Sequence, residues 1–499
     1  MSTPTAFRSI DWQHDHTHAQ NRFAVIPTPQ RLSVNSRYTG KGVTIAILDS
    51  GFYPHPDLTQ PENRIVEFKD VTDSEASLKA DAVPQAWDWH GTQTAVVAAG
   101  NGYLSDGVYR SLASEAEVVL VKVSERGRIT DESIVGGLEW VVNNKHTYNI
   151  QVVSMSLAGD EDVSFRESVV DRAAETAVRA GLTVVVAAGN TGCGPSPRPI
   201  PPANSPSVIT VGGYDDGNLL GNSEPDLYCS NFGPTVDGLI KPEIIAPAIW
   251  VAAPILPGTD FYHRAEALSQ LAAAPDYLLP ELANKLRRIA DLPDSIDQAS
   301  PPEIRLAVEA QIVGSKIIST HYQHVDGSSF AAPVVASVVA QMLEANLRLT
   351  PQIIKNILIS TTDRLTNQPR QFLMRQGYGA LNARRAVEEA EREHHTYHVD
   401  ALTPPRVEND RLVFNFHHDA AQTVALAGDF NGWNPSQHPL AKQENGIWRI
   451  EIEALPPGSY QYKFVVNNDQ WVDDPNNGLK SSDGRGGFNS ALFIERQAV

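Results

Sequence analysis

Residues 42–51 read Gly42-Val43-Thr44-Ile45-Ala46-Ile47-Leu48-Asp49-Ser50-Gly51, a β-branched apolar run that ends on a carboxylate and a glycine. The run has no polar alternation, so it reads as a strand covered on both faces, the mark of a parallel sheet. Asp49 then falls at the carboxyl end of that strand, where ligands and catalytic groups collect in open α/β sheets. Taken alone, an aspartate there is also a common turn or helix-capping residue.

Outward from this stretch, similar runs recur at Val118 to Val123, Val152 to Met155, Thr183 to Ala188, Val208 to Gly212 and Trp250 to Ala253. Segments of helical period separate them. Ile134, Val135, Leu138, Val141 and Val142 form one apolar stripe, and Val170, Ala173, Ala174, Ala177 and Val178 another. The second stripe follows a capping-box pattern at Ser164 and Glu167 and stops at Gly181. From Gly42 to about Ala390 the expected class is therefore α/β, a parallel sheet with helices on both faces. A stretch at about 255–322, rich in Ala, Leu and charge, interrupts it as an expected helical insertion, read as surface decoration or as a lid.

The length of 499 residues, 41% hydrophobic, implies two domains. A net charge of -19 argues against nucleic acid as a partner. Residues 1–21 are polar and His-rich without an apolar signal core, and no later run reads as a membrane span. The expected compartment is the cytoplasm, with no membrane partner. Cys193 and Cys229 are too few for a disulfide framework and read as reduced thiols, a single bridge between them being the alternative. His14, His16 and His18 are closely spaced, but at a polar terminus they read as unstructured chain, and no metal site is assigned.

Two further fragments carry chemistry. His90-Gly91-Thr92 opens onto Ala95 to Ala99, which places an imidazole at the start of a buried helix, and a neighbouring carboxylate would fix its tautomer. Asp326-Gly327-Ser328-Ser329-Phe330-Ala331-Ala332-Pro333 leads into Val334, Val335, Val338, Val339 and Met342. This puts Ser329 at a helix N-terminus, whose N–H groups favour developing negative charge. Singly, each fragment has an ordinary structural reading.

Together, in the order Asp, His, Ser, these three motifs resemble the subtilisin-like serine peptidase family. The resemblance covers roughly residues 22–390 and implies a serine endopeptidase with Asp49, His90 and Ser329 as catalytic triad. It implies that Asn190, ending Ala187-Ala188-Gly189-Asn190, donates to the oxyanion. Ser156, Leu157, Ala158 and Gly159 resemble the segment that pairs with an extended substrate. No cofactor is required, and Asp57 matches a position that supports structural calcium in some members, with a turn residue as the alternative. Ser328, Phe330 and Ala158 stand where the family usually has Thr, Met and Gly. The insertion before Ser329 is unusual, and the segment before Asp49 is short for an inhibitory propeptide.

After Glu393 a linker, 396–404, leads into alternating strands at Leu412 to Phe416, Thr423 to Ala427, Trp448 to Ile452, Tyr460 to Val466 and Ala491 to Glu495, an expected all-β sandwich over 405–499. Gly428-Asp429-Phe430-Asn431-Gly432-Trp433, the Pro456 to Phe464 run and Trp471 to Pro475 resemble the glycogen-binding module of the AMP-activated protein kinase β-subunit and isoamylase-type enzymes. That resemblance implies an α-glucan partner, with Trp433 and Trp471 stacking on sugar rings and Lys463 and Asn489 bonding to hydroxyls. Trp448 and Tyr462 read as core, and Arg485-Gly486-Gly487 departs from the pattern. The expected function is a peptidase targeted to an α-glucan such as glycogen; the alternative is an inactive glucan-binding scaffold.

Overall fold

A computed structural model describes residues 25–494 apart from 35, 80–82, 160, 222–223, 366–373, 397–404, 409–410, 419, 444–445, 475–476, 478 and 485–486. The 1–21 extension with its three histidines, nearly all of the 396–404 linker, and Arg485-Gly486 lie outside the described residues.

All six residues of the strand Thr44–Asp49 are buried, because it is paired on both edges and covered on both faces. It runs parallel to Glu117–Lys122 on one side and to Ile150–Met155 on the other. The parallel sheet has the order Ile244–Pro247, Ile209–Asp215, Thr183–Ala187, Ile150–Met155, Thr44–Asp49, Glu117–Lys122, Ile65–Asp70, and Asp226–Leu227 adds antiparallel to Ile209–Asp215. The period of two in a strand sends Ile45 and Ile47 to one face and Ala46 and Leu48 to the other. The first pair packs with Val96, Val334 and Val338 of the helices Asp88–Ala99 and Ser328–Ala345. The second packs with Ile134, Leu138, Val170 and Ala174 of the helices Asp131–Asn144 and Val169–Arg179. The α/β reading holds.

Four local expectations need correction. The cap of Val169–Arg179 is Ser168, whose Oγ accepts from Asp171 N–H, because Ser164 Oγ is occupied in donating to Asp237 at 2.7 Å. Val251–Pro254 is no part of the parallel sheet; its partner is Tyr322–Val325, antiparallel, from the far end of the insertion. Ile65–Asp70 is an added edge strand that the sequence hid, since its charged, half-exposed residues break the apolar pattern. Finally, Ser328–Ala345 has the length and hydropathy to cross a membrane, contrary to the reading that no run does, but it is 83% buried as a core helix.

The insertion contains the helices Asp260–Ala273, Leu279–Leu286 and Pro301–Gly314 around its own apolar centre, including Leu268, Leu271, Leu279, Ile304 and Val308. The strand pair at its base latches it to the catalytic half of the sheet. Tyr322 Oη donates to Asp57 Oδ2 at 2.6 Å, Gln93 Nε2 donates to the Pro254 carbonyl at 3.0 Å, and Trp250 stacks on His324. Asp57 is wholly buried and Tyr322 nearly so. Tyr322→Phe strips a buried carboxylate of a donor, so it is expected to destabilise the protein by roughly 2–3 kcal/mol. Urea unfolding measures this; an unchanged midpoint would mean that the latch carries no stability.

The second unit packs a sheet ordered Arg406–Glu408, Arg411–His417, Ile447–Glu453, Ala441–Lys442 against one ordered Val424–Gly428, Gly458–Val466, Phe488–Ile494, Lys480–Ser482. Phe414, Phe416, Leu426, Trp448, Tyr462 and Phe464 fill the space between them. The unit rests directly on the first. Ile240 N–H donates to the Lys480 carbonyl, Phe165 meets Phe493 edge-on at 5.1 Å, and Tyr378 lies 5.2 Å from Phe488.

Candidate active site

Asp49 closes its strand and His90 sits in the first turn of Asp88–Ala99, which crosses that strand's carboxyl end. The crossing is close because residue 91 is glycine. A Cβ there would lie 2.2 Å from the Gly51 carbonyl oxygen and 2.9 Å from Asp49 Cβ. His90 Nδ1 lies 2.8 Å from Asp49 Oδ1 and 3.0 Å from Oδ2. An ionised carboxylate only accepts, so Nδ1 carries the proton and Nε2 is left as the acceptor. Ser50 N–H donates to Asp49 Oδ1 at 2.7 Å, and Thr94 Oγ1 lies 3.0 Å from Oδ2. Burial pushes the imidazole pKa down, but the Asp49 charge and hydrogen bond outweigh it, and the net shift is upward. Thr94 was not singled out from sequence; its signal was its position one helical turn after His90, on the same face.

Ser329 lies in the first turn of Ser328–Ala345, after Gly327 at φ +142°. Phe330 brings this turn beside the imidazole, with ring centroids 5.9 Å apart. Among the described residues no hydrogen bond from Ser329 Oγ is present. Such contacts are often long in free enzymes and tighten around substrate. Asn190 Oδ1 accepts from Ser328 N–H at 2.8 Å and from Ser328 Oγ at 2.9 Å. That fixes the carboxamide and leaves its Nδ2 donors pointing away from Ser328. The hydroxyl of Ser328, read from sequence only as a substitution, is thus one of the two donors that orient Asn190.

Ser156 to Gly159 continue from the strand Ile150–Met155 beyond its last paired residue. Ser156 Oγ donates to the Ser329 carbonyl at 2.7 Å, Gly159 N–H donates to the Pro201 carbonyl, and Leu157 is buried while Ala158 is exposed. The segment therefore borders Ser329. Cys193 and Cys229, read as reduced thiols, are joined as a disulfide, because the loop after Asn190 folds back along residues 229–231 and brings their Cα atoms to 5.2 Å. The calcium reading of Asp57 does not fit: Tyr322 Oη and Leu104 N–H donate to its two oxygens, at 2.6 and 3.1 Å, where a cation would need lone pairs. No cluster of three His, Cys, Asp or Glu residues with metal-site spacing occurs among the described residues.

On the second unit, Trp433, Lys463, Trp471 and Asn489 line one concavity together with Gln461 and Asp483. The two indoles lie 6.2 Å apart at 42°, and Trp471 is 44% exposed. Lys463 Nζ is 3.2 Å from Asp483 Oδ2, and Asn489 Nδ2 donates to Gln461 Oε1 at 2.8 Å. Trp448 and Tyr462 are buried, the latter donating to Asp474 at 2.6 Å.

Comparison with known proteins matches these two units separately. Residues 40–379 match the subtilase family, peptidase family S8, and residues 401–477 match carbohydrate-binding module 48, the isoamylase N-terminal domain. The serine protease AprX of Bacillus subtilis is 32% identical over 70% of this chain and 67% of its own. A cuticle-degrading serine protease of Arthrobotrys oligospora is 29% identical over 45% and 47%. The major intracellular serine protease of B. subtilis is 37% identical over 31% and 45%. Among solved structures, a protease from Pseudoalteromonas arctica aligns over 76% of this chain at 23% identity, with a TM-score of 0.47. The chain belongs to the subtilase family. It is a subtilisin-like serine endopeptidase whose residues 401–477 form a region matching carbohydrate-binding module 48.

Proposed function

We propose that Ser329 attacks the peptide carbonyl while His90 Nε2 takes its proton and later delivers it to the leaving amine, Asp49 holding the imidazolium. Asn190 Nδ2 then donates to the oxyanion, and water hydrolyses the acyl-enzyme. The observation that carries this is the organised Asp49 carboxylate, which receives His90 Nδ1, Ser50 N–H and Thr94 Oγ1 in a buried site. Ser156 to Gly159 would pair with the extended substrate backbone beside Ser329. A serine-directed phosphonate is expected to label about one site per chain, at Ser329, and Ser329→Ala to abolish labelling and cleavage of an unfolded protein. Labelling elsewhere would overturn the assignment. The ordered Asp49–His90 pair also argues against the scaffold alternative.

The second unit is proposed to hold the peptidase on an α-glucan such as glycogen. An exposed Trp471 and a partly covered Trp433 at an angle suit the C–H faces of successive sugars, and Lys463 and Asn489, lining the same concavity, would bond to hydroxyls. Co-sedimentation with glycogen is the test. Trp433→Ala and Trp471→Ala are each expected to weaken binding at least about tenfold, the equivalent of roughly 1.4 kcal/mol. Sedimentation unchanged in the double variant would remove the glucan reading and leave the peptidase reading intact.

A further inference from the structure

The segment that carries Asn190 has further ties besides Ser328, and those on either side of Asn190 itself include several to residues 229–231. Asn231 N–H donates to the Gly189 carbonyl at 3.0 Å, so it grips the residue before Asn190. Its side chain grips the residue after, with Oδ1 accepting from Thr191 N–H at 2.6 Å while Nδ2 donates to the Arg198 carbonyl at 2.9 Å. Gly192 N–H donates to the Cys229 carbonyl at 2.9 Å, and a Cβ on Gly192 would lie 1.8 Å from the Ser230 carbonyl oxygen. The Cys193–Cys229 bond follows one residue later. Beyond it the chain enters a largely exposed stretch, Gly194 to Arg198. The disulfide is thus the last covalent tie between the Asn190 segment and the body of the domain.

We infer that Asn231 and the Cys193–Cys229 bond are positioning groups for the oxyanion donor, so that reduction of the bond lowers turnover. The inference rests on the role proposed for Asn190. An oxyanion donor must meet the tetrahedral oxygen at hydrogen-bond distance, and a displacement of about 1 Å is enough to lose a large part of its effect. Ser328 orients the Asn190 carboxamide and its Oγ also meets Gly189, accepting from the N–H and lying 3.1 Å from the carbonyl, but it makes no bond to Thr191 or Gly192 beyond Asn190. That far side is held by Asn231 at Thr191 and, through Gly192, by the cross-linked Cys229.

Cys193 is exposed, whereas Cys229 is partly covered, so a thiol reaches Cys193 first. Arg375 Nη2 lies 3.7 Å from Cys193 Sγ and also donates to the Tyr228 carbonyl. A cation beside sulfur stabilises the thiolate form. With a dithiol as reductant, its thiolate attacks Cys193 Sγ and the bond to Cys229 breaks, Cys229 leaving as thiolate and taking up a proton. The second thiol of the reductant then displaces Cys193, whose thiolate emerges beside Arg375. Two electrons pass to the protein, one proton of the dithiol ends on Cys229 and the other on solvent while Cys193 remains a thiolate, and the reductant becomes a cyclic disulfide.

The test uses the full chain, a chromogenic peptide and dithiothreitol under native conditions, with titration of free thiols and a circular dichroism spectrum to show that the reduced chain is folded. Reduction to two thiols is expected to lower kcat about tenfold, less than the roughly 10²- to 10³-fold set by complete loss of an oxyanion donor, with KM changed less than about twofold. Reoxidation restores it. The Cys193→Ser/Cys229→Ser chain should show the lowered kcat and ignore dithiothreitol. Asn231→Ala should lower kcat at constant KM, and reduction should add little to Asn190→Ala. Two titrated thiols with unchanged kcat in a folded chain would overturn the inference. If Asn190→Ala itself leaves kcat unaltered, the oxyanion reading fails instead, a distinct result.

Discussion

Asp49→Asn is expected to lower kcat about 10⁴-fold while KM changes less than about threefold. The amide would keep the size and burial of the carboxylate but present an NH₂ group toward ring or backbone donors. His90 would then lose the partner that places its proton on Nδ1, and Nε2 would no longer be reliably the acceptor. The imidazolium formed as Ser329 attacks would also lose its counter-charge. A factor of 10⁴ is about 5.5 kcal/mol of transition-state stabilisation, more than removal of the oxyanion donor Asn190 should cost. Steady-state kinetics on a peptide ester or anilide measure it, and a loss below about tenfold would mean that Asp49 only supports the fold.

The same pair fixes the pH dependence. The base is active when His90 is neutral, so kcat/KM should rise with pH as the imidazole loses its proton. Because Asp49 raises the pKa despite burial, the midpoint is expected above the ordinary histidine value of about 6.5. In Asp49→Asn the Asp49 charge is gone and burial acts alone, so the midpoint of the residual activity should move down. A midpoint that stayed put would detach the titration from this pair.

Asn190→Ala is expected to cost 10²- to 10³-fold in kcat, about 3–4 kcal/mol, with little change in KM. The donor acts on charge that exists only in the transition state, so binding of the uncharged substrate barely senses it. The geometry adds a graded companion. Ser328→Ala removes one of the two donors that hold Asn190 Oδ1 and should give a smaller fall, whereas Ser328→Thr keeps the hydroxyl and should be close to the parent. Equal losses in Ser328→Ala and Ser328→Thr would show that the hydroxyl is not what orients the amide.

Much of the sheet was legible because burial on both faces leaves an uninterrupted apolar run in the sequence, as in Val43 to Leu48 or Thr183 to Ala187. The edge strand Ile65–Asp70 was not, because an edge tolerates Glu67 and Lys69 and so erases the pattern. The cap at Ser168 was missed for a related reason. Two serines precede the helix, and only the position of Asp237, distant in sequence, decides that Ser164 is occupied elsewhere. Asp49, His90, Ser329 and Asn190 could be nominated from motifs; Thr94 left only its helical spacing from His90 as a signal and Ser328 none, since each acts through a partner 45 or 138 residues away.

The sequence by itself determined the class of the fold, the chemistry of the reactive groups and the presence of two units, because periodicity, residue type and short motifs are local properties of the chain. Tertiary structure alone decided which oxygen meets which donor, that Asp57 serves Tyr322 rather than a cation, that Cys193 and Cys229 are joined, and that two tryptophans and two polar side chains share one concavity. Those are distances between residues far apart in the chain. They are set by how the sheet and its helices pack, and nothing in local sequence encodes them.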